Sequence, residues 1–311
     1  MTSTGLHVAV AADGPAKWPR LPRALVGLAL IIPAVSFLVI FLVLPSLTLL
    51  SYSVLTQPQN GDIGLPFSLA SYERLLFSPA YRRVVMLTLR VAFFTSLFTL
   101  LLAYPLAMVI AYGRPAFSRI TMILVVAPLV VSVIVRTYGW QLLLGNNRTG
   151  VVNWLLETLG TGPNVMRVLY TEWAVVIASV HVFLPLMVLP LAASLGRINP
   201  SLNEAARMLG APAWRAFVRV TLPLSVPGLV AGLTIVFSLT AASYVTPQML
   251  GGNRGTMLGV LLEQQITTSF DWPMAAAIAT VMVVIALGAN VGVTWLIERR
   301  MTARARRSGA G

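Results

Sequence analysis

The sequence predicts an all-α, polytopic membrane protein with six transmembrane helices and both termini on the cytoplasmic side. Three observations carry this. The chain is 57% hydrophobic and only 10% charged, whereas a soluble globular domain carries about 25% charged residues. Six apolar runs each supply the roughly 20 residues that a bilayer crossing needs. The basic residues are segregated to alternate connections, as expected when Lys and Arg are retained on the cytoplasmic side.

In chain order, residues 1–23 form a polar, weakly basic tail. The run 24–50 is the first span, read as retained and not as a cleaved signal. Residues 51–83 form an outer loop. Residues 84–297 form a core of five further spans, at 84–112, 120–140, 173–195, within 223–250, and at 273–297, with a cytoplasmic segment at 196–222. Residues 298–311 are a basic cytoplasmic tail. With the N-terminus inside, fourteen basic residues fall on inner segments and six on outer loops, while Asp62, Glu73, Glu157, Glu172, Glu263 and Asp271 are all outside. The net charge of +13 is therefore topological. No soluble basic face with interleaved aromatics suggests nucleic acid.

The most informative stretch is the polar-flanked island between the fourth and fifth spans. Ser201 and Glu204 stand at capping-box spacing. Leu202, Ala205, Ala206 and Leu209 recur on one helical face. Gly210 suits the left-handed residue that ends a helix, and Pro212 the first turn of a second one. Trp214, Phe217, Val218 and Thr221 then share one side, with Arg215 and Arg219 on another. The expectation is helix, tight turn, helix, lying beside the membrane. An ordinary amphipathic interfacial pair would give the same pattern.

Several chemistries find no support in the sequence. There is no Gly-x-x-x-x-Gly-Lys-Ser/Thr loop to cradle ATP phosphates, and the single lysine is Lys17. No His-Glu-x-x-His or Gly-x-Ser-x-Gly string occurs. The chain has no cysteine. No enzyme activity, metal or cofactor is expected. The span centres hold almost none of the ionisable groups that a proton-driven carrier keeps there.

Near the spans, Arg136 with Tyr138 and Trp140 ends the third one. Arg136 either faces a polar cavity or snorkels to the outer interface. His181 in the fourth span either meets solute or bonds a neighbouring helix. Tyr244 follows the fifth. Pro105, Pro128, Pro185, Pro190 and Pro227 break backbone bonds within or near spans, as hinges or as static kinks.

Glu204-Ala205-Ala206, then three residues, Gly210, and Leu222-Pro223 resemble the cytoplasmic signature of bacterial ABC importer permeases. Val220 stands where Ile is usual. Leu101–Ala107, Val135–Trp140, Leu144–Gly150, Leu184–Pro190 and Tyr244–Gly252 resemble the spermidine/putrescine-type branch. The resemblance implies a type I ABC importer permease fold in the inner membrane, with 51–83 periplasmic. It implies a second permease subunit, two ATPase subunits, and a periplasmic or lipid-anchored solute-binding protein. It places ATPase coupling on Ser201, Glu204, Ala205, Ala206, Leu209, Gly210, Leu222 and Pro223. Candidates for the solute path are Arg136, Tyr138, Trp140, His181 and Tyr244. A polyamine-like solute is the first expectation. Relatives also carry iron, phosphonates or opines, and a secondary carrier or a membrane anchor are competing classes.

Overall fold

The computed structural model describes residues 23–58, 61–147, 150–160 and 166–308, with side chains described between 31 and 295. The N-terminal tail and Lys17 lie outside the described residues, as do Arg148 and Thr149 of the 144–150 stretch. Two units partition the chain, residues 1–49 and 50–311. The first helix is formed by α1 (Arg23–Leu38), a π turn at Val39–Val43 and α2 (Leu44–Tyr52). Its apolar stretch Ile31–Tyr52 is 22 residues long, enough to cross a bilayer.

The second unit opens with a short antiparallel hairpin, β1 (Leu55–Thr56) and β2 (Gly64–Phe67), the one addition to the all-α expectation among the described residues. Helices α3 (Ala70–Phe77), α4 (Pro79–Tyr112), α5 (Pro115–Val130), α6 (Val133–Leu143), α7 (Val151–Thr158) and α8 (Glu172–Gly196) follow. Next come α9 (Pro200–Met208), α10 (Ala213–Ala216), a π turn at Phe217–Thr221, α11 (Leu222–Leu224) and α12 (Val226–Ala241). The chain ends in α13 (Val245–Leu250), α14 (Leu258–Thr267) and α15 (Trp272–Ser308). Four described helices are long and apolar enough to cross a membrane, and two bent pairs bring the number to six if each pair is one span.

Two expected spans are bent. The third, read as one run over 120–140, is α5 and α6 meeting at 102°. Val131 and Ser132 take extended backbone, which stops one helix and starts the next. The fifth lies within the expected 223–250 as α12, but the chain is bent by 66° at Ser225 where it begins. Pro227, which lacks an N–H, loosens the ladder beside that bend. The sixth helix runs without a break from Trp272, through the expected tail at 298, to Ser308.

Helix α8 is the axis of the bundle, packed by α4, α5, α12 and α13. In its most apolar stretch 61% of residues are buried, against 28% in α4 and 17% in α15. Small residues set its closest contact. A Cβ on Gly228 of α12 would meet the Ser194 side chain and lie 2.6 Å from the Pro190 carbonyl oxygen. One on Gly232 would lie 2.5 Å from the Met187 sulfur. Glycines four apart let two helix backbones approach closely, the usual means of helix association in lipid. At one end of the bundle, the Arg90 guanidinium on α4 forks onto the Glu172 carboxylate that opens α8, with Nε donating to Oε2 at 3.1 Å.

Candidate functional site

The island between α8 and α12 folds as helix, turn and helix. Its first cap differs from expectation. The Asn199 side-chain oxygen accepts the Ser201 backbone N–H at 3.0 Å, so Asn199 is the N-cap and Ser201 is already helical. Pro200 explains the earlier start, because its missing N–H costs nothing at the first helical position and its φ is preset. Glu204 is thereby moved into the second turn, exposed and without a capping role. Asn-Pro was the signal that would have found the cap.

The turn behaves as expected. Gly210 has φ +81°. The Ala211 N–H donates to the Ala206 carbonyl at 3.0 Å and the Gly210 N–H to Arg207 at 2.9 Å. This pair of bonds is a Schellman motif, which satisfies the last carbonyls of α9. Pro212 precedes α10 as its cap, one residue before the first turn.

The expected four-residue side of the second helix divides. Phe217 meets the Tyr104 ring edge-on at 5.3 Å, and Thr221 is buried. Trp214 and Val218 are exposed. The π turn at Phe217–Thr221 widens the helical repeat and rotates successive side chains out of a 3.6-residue phase. Arg215 lies over the Trp214 ring at 5.4 Å.

The segment thus presents an uncovered apolar surface. Met208 and Leu209 are both 89% exposed, and Leu202 and Trp214 are also exposed. The expected face of Leu202, Ala205, Ala206 and Leu209 exists, with Ala206 its half-buried member. Met208, which sequence periodicity did not single out, joins Leu209 at its tip. Exposed apolar clusters of this kind mark interaction surfaces.

Behind that surface, hydrogen bonds join the segment's two limbs and fix the spans at its ends. Thr221 donates to Asn203 at 3.1 Å, Tyr104 of α4 shares a 2.8 Å bond with Ser225 at the bend, and Tyr112 donates to the Leu195 carbonyl at 2.9 Å. Leu222 and Pro223 carry the chain through α11 to that bend.

The second group lies where α6 meets α8. Trp140 Nε1 donates to His181 Nδ1 at 3.2 Å, with the rings edge-to-face at 5.7 Å. Arg136 Nη1 reaches the Val182 carbonyl at 3.4 Å, and its buried Nε has no partner among the described residues. Pro185 lies one turn on in α8, so the His181 carbonyl lacks its helical donor. His181 also borders an apolar cavity of about 500 Å3 lined by Phe98, Trp140 and Trp173. Tyr138 and Tyr244 are exposed, and no described hydrogen bond ties their side chains to this group.

A bundle of kinked and broken spans, carrying an exposed helix–turn–helix beside its axis, defines a membrane permease. The chain belongs to the family of binding-protein-dependent transport system inner membrane components, whose model matches residues 63–302. It is the permease of an ABC importer and a multi-pass inner-membrane protein. It is 32% identical to the spermidine/putrescine transport system permease protein PotB of Haemophilus influenzae, over 78% of this chain and 84% of that protein. It is 31% identical to PotB of Escherichia coli K12, over 87% and 97%. The molybdenum transport system permease protein ModB of Mycobacterium bovis is 28% identical, over 70% and 81%. Among solved structures, a bacterial alginate ABC transporter in complex with its alginate pentasaccharide-bound periplasmic protein shares the fold. That match has a TM-score of 0.73 at 20% identity, over 90% of this chain and 96% of that one.

Proposed function

We propose that this chain forms half of the membrane path of an importer for polyamine-class solutes, driven by ATPase subunits on separate chains. The observation that carries the reading is the uncovered helix–turn–helix, closed by a Schellman turn at Gly210 and joined to α4 through the Tyr104–Ser225 bond at its end. An ATPase docked on Met208, Leu209 and the Glu204 side of α9 would move α9 and α10 together. The π turn and the bend at Ser225 would pass that motion to α12. Helix α12 would carry α8 through the Gly228 and Gly232 contacts.

Towards the middle of α8, His181 would shift against Trp140 of the broken span. Discontinuous helices are a common way to build a solute site in lipid. Arg136, Trp140 and His181 are therefore assigned to the path, with Tyr138 and Tyr244 at its exposed edge. Both termini and the helix–turn–helix lie in the cytoplasm, on the strength of the basic asymmetry. A second permease subunit completes the path, two ATPase subunits sit below it, and a solute-binding protein delivers from outside.

The names of the PotB relatives support the polyamine class. One observation favours a second reading, import of a small anion: Arg136 is the charged group at the α6–α8 junction, and the span centres offer a dication no carboxylate. The test is uptake by cells expressing the chain with its operon partners. Saturable, ATP-dependent uptake of labelled putrescine or spermidine supports the first reading. Uptake of molybdate or a phosphonate, with no competition by polyamines, would replace it with the second.

A further inference from the structure

Two cavities on one side of the bundle share a wall. The first, about 890 Å3, lies between the first turns of α4, the first residues of α8 and the loop 253–256. The second is the apolar cavity of about 500 Å3 beside His181, between α4, α6 and α8. Trp173, at the start of α8, lines both. Their chemistry differs. Arg82, Arg83, Arg90 and Arg254 border the first, with Glu172. Arg90 and Glu172 pair with each other, whereas Arg82, Arg83 and Arg254 are exposed and make no ion pair among the described residues. The second cavity is walled by apolar and aromatic side chains such as Phe98, Leu101, Leu102 and Ile177. Its polar members, Trp140 and His181, bond each other.

Depth in the bilayer matches this division. Helices α4 and α8 are bonded towards both ends, Arg90 to Glu172 and Tyr112 to the Leu195 carbonyl. Arg90 and Tyr112 stand about 33 Å apart along α4, against about 30 Å for the hydrocarbon of a bilayer. With Tyr112 at one boundary of the hydrocarbon, Arg90 and Trp173 fall at the other, where tryptophan is favoured. Arg82 and Arg83 stand about two turns further on, at the level of the headgroups and the water beyond. Phe98, Leu101, Leu102 and Ile177 lie within the hydrocarbon. The charge is thus at headgroup depth, and the apolar groove directly beneath it.

We propose that the two cavities together form a site for one anionic phospholipid, with its phosphate among Arg82, Arg83 and Arg254 and one acyl chain in the groove beside Trp140. An apolar groove alone would fit a neighbouring helix equally well, and a basic pocket alone would fit any anion. Joined at Trp173, they match an amphiphile with an anionic head. Arginine's planar fork meets a phosphate through two parallel hydrogen bonds, and basic pockets between membrane helices suit anionic headgroups. Lipid tails are as apolar as the groove, so packing alone holds the chain there, and selectivity falls to the head. The proposal rests on the membrane placement of the bundle and is independent of the solute and of ATP.

The experiment uses the full-length chain, purified in neutral detergent and depleted of lipid. Dioleoylphosphatidylglycerol is titrated in, beside dioleoylphosphatidylcholine, which has the same chains, and inorganic phosphate, which has none. Bound lipid is counted by native mass spectrometry and the melting temperature is read in parallel. One phosphatidylglycerol should be retained, with a rise in melting temperature, at a concentration about tenfold below that needed for phosphatidylcholine. In Arg82→Gln/Arg83→Gln, half-saturation by phosphatidylglycerol should rise about tenfold, with phosphatidylcholine unchanged. Arg254→Gln should act in the same direction. Leu101→Trp, which fills the groove from an exposed position, should lose both lipids and keep the lipid-free melting temperature. Equal binding of the two lipids, or phosphatidylglycerol binding unchanged by the arginine variants, would overturn the proposal. So would an equal response to inorganic phosphate, which would leave a free-anion site with no lipid chain. Loss of the lipid on assembly with the partner subunits would also overturn it, by giving the groove to the second permease subunit.

Discussion

The Thr221 hydroxyl donates to the Asn203 side-chain oxygen across 3.1 Å, joining the two limbs of the helix–turn–helix 18 residues apart. Thr221 is buried, and its backbone carbonyl accepts the Ser225 N–H at the 66° bend. The bond therefore links α9, which faces outward, to the start of α12. Thr221→Val keeps the shape and removes the donor, leaving the half-buried Asn203 short of a partner. A hydrogen bond of this kind contributes about 0.5–1.5 kcal/mol, too little to unfold the chain. The expected result is a normal amount of protein in the membrane and less solute moved per ATP hydrolysed. Thr221→Ser should restore the wild-type ratio. An unchanged ratio in Thr221→Val would show that this bond carries no motion.

Much of this segment was legible in sequence, for identifiable reasons. Gly210 was readable because a left-handed C′ residue follows directly from a helix pattern that stops at glycine. The cap was misread because Ser201 and Glu204 satisfy a spacing rule, while Asn199-Pro200 satisfies a stronger conformational one. The π turn at Phe217–Thr221 was not readable, because no residue type demands it. The six apolar runs were visible from hydropathy. The break at Val131–Ser132 was not, because hydropathy is blind to direction. Trp140 and His181 were both named as candidates, yet 41 residues separate them and nothing in the sequence pairs them.

Gly210 should be sensitive to conformation and not to volume. A Cβ there meets nothing within 4 Å, so substitution costs only the left-handed backbone, about 1–2 kcal/mol for an ordinary L residue. Gly210→Asn, which tolerates that region, should retain transport. Gly210→Val should reach the membrane and lose most of it. The check is uptake normalised to permease quantified in the membrane. Equal activity in both variants would mean the turn geometry is unimportant.

Gly228 should show the opposite sensitivity. Its Cβ position is occupied by Ser194 and the Pro190 carbonyl. Overpacking of a fitted interface costs about 1–3 kcal/mol, and here the obstacle includes backbone. Gly228→Leu should therefore lower the melting temperature of the detergent-solubilised chain and its amount in the membrane. Gly288→Leu, where a Cβ meets nothing within 4 Å, is the control and should change neither.

The orientation rests on basic asymmetry and is directly testable. A reporter fused after Gly311 should be active only in the cytoplasm, and one inserted beside Gly61 only outside. The reverse pattern would place the helix–turn–helix on the wrong side for an ATPase.

The corrected cap separates two effects that the sequence alone would have merged. With Ser201 as N-cap, loss of Glu204 would damage both the helix and its surface. With Asn199 as N-cap, the two functions fall on different residues. Asn199→Ala removes the side-chain acceptor for the Ser201 N–H and should cost about 1 kcal/mol of local helix stability. Glu204 is exposed and makes no hydrogen bond or ion pair among the described residues. Glu204→Gln should therefore change stability by less than about 0.5 kcal/mol. If the negative charge contacts an ATPase, that variant should still weaken co-purification with the ATPase subunit and lower coupled transport several-fold. Thermal unfolding of the isolated chain, read beside ATPase co-purification from the assembled complex, distinguishes the roles. Glu204→Gln with full ATPase recovery and normal uptake would remove Glu204 from the docking surface and leave the apolar tip at Met208 and Leu209 as the part to test.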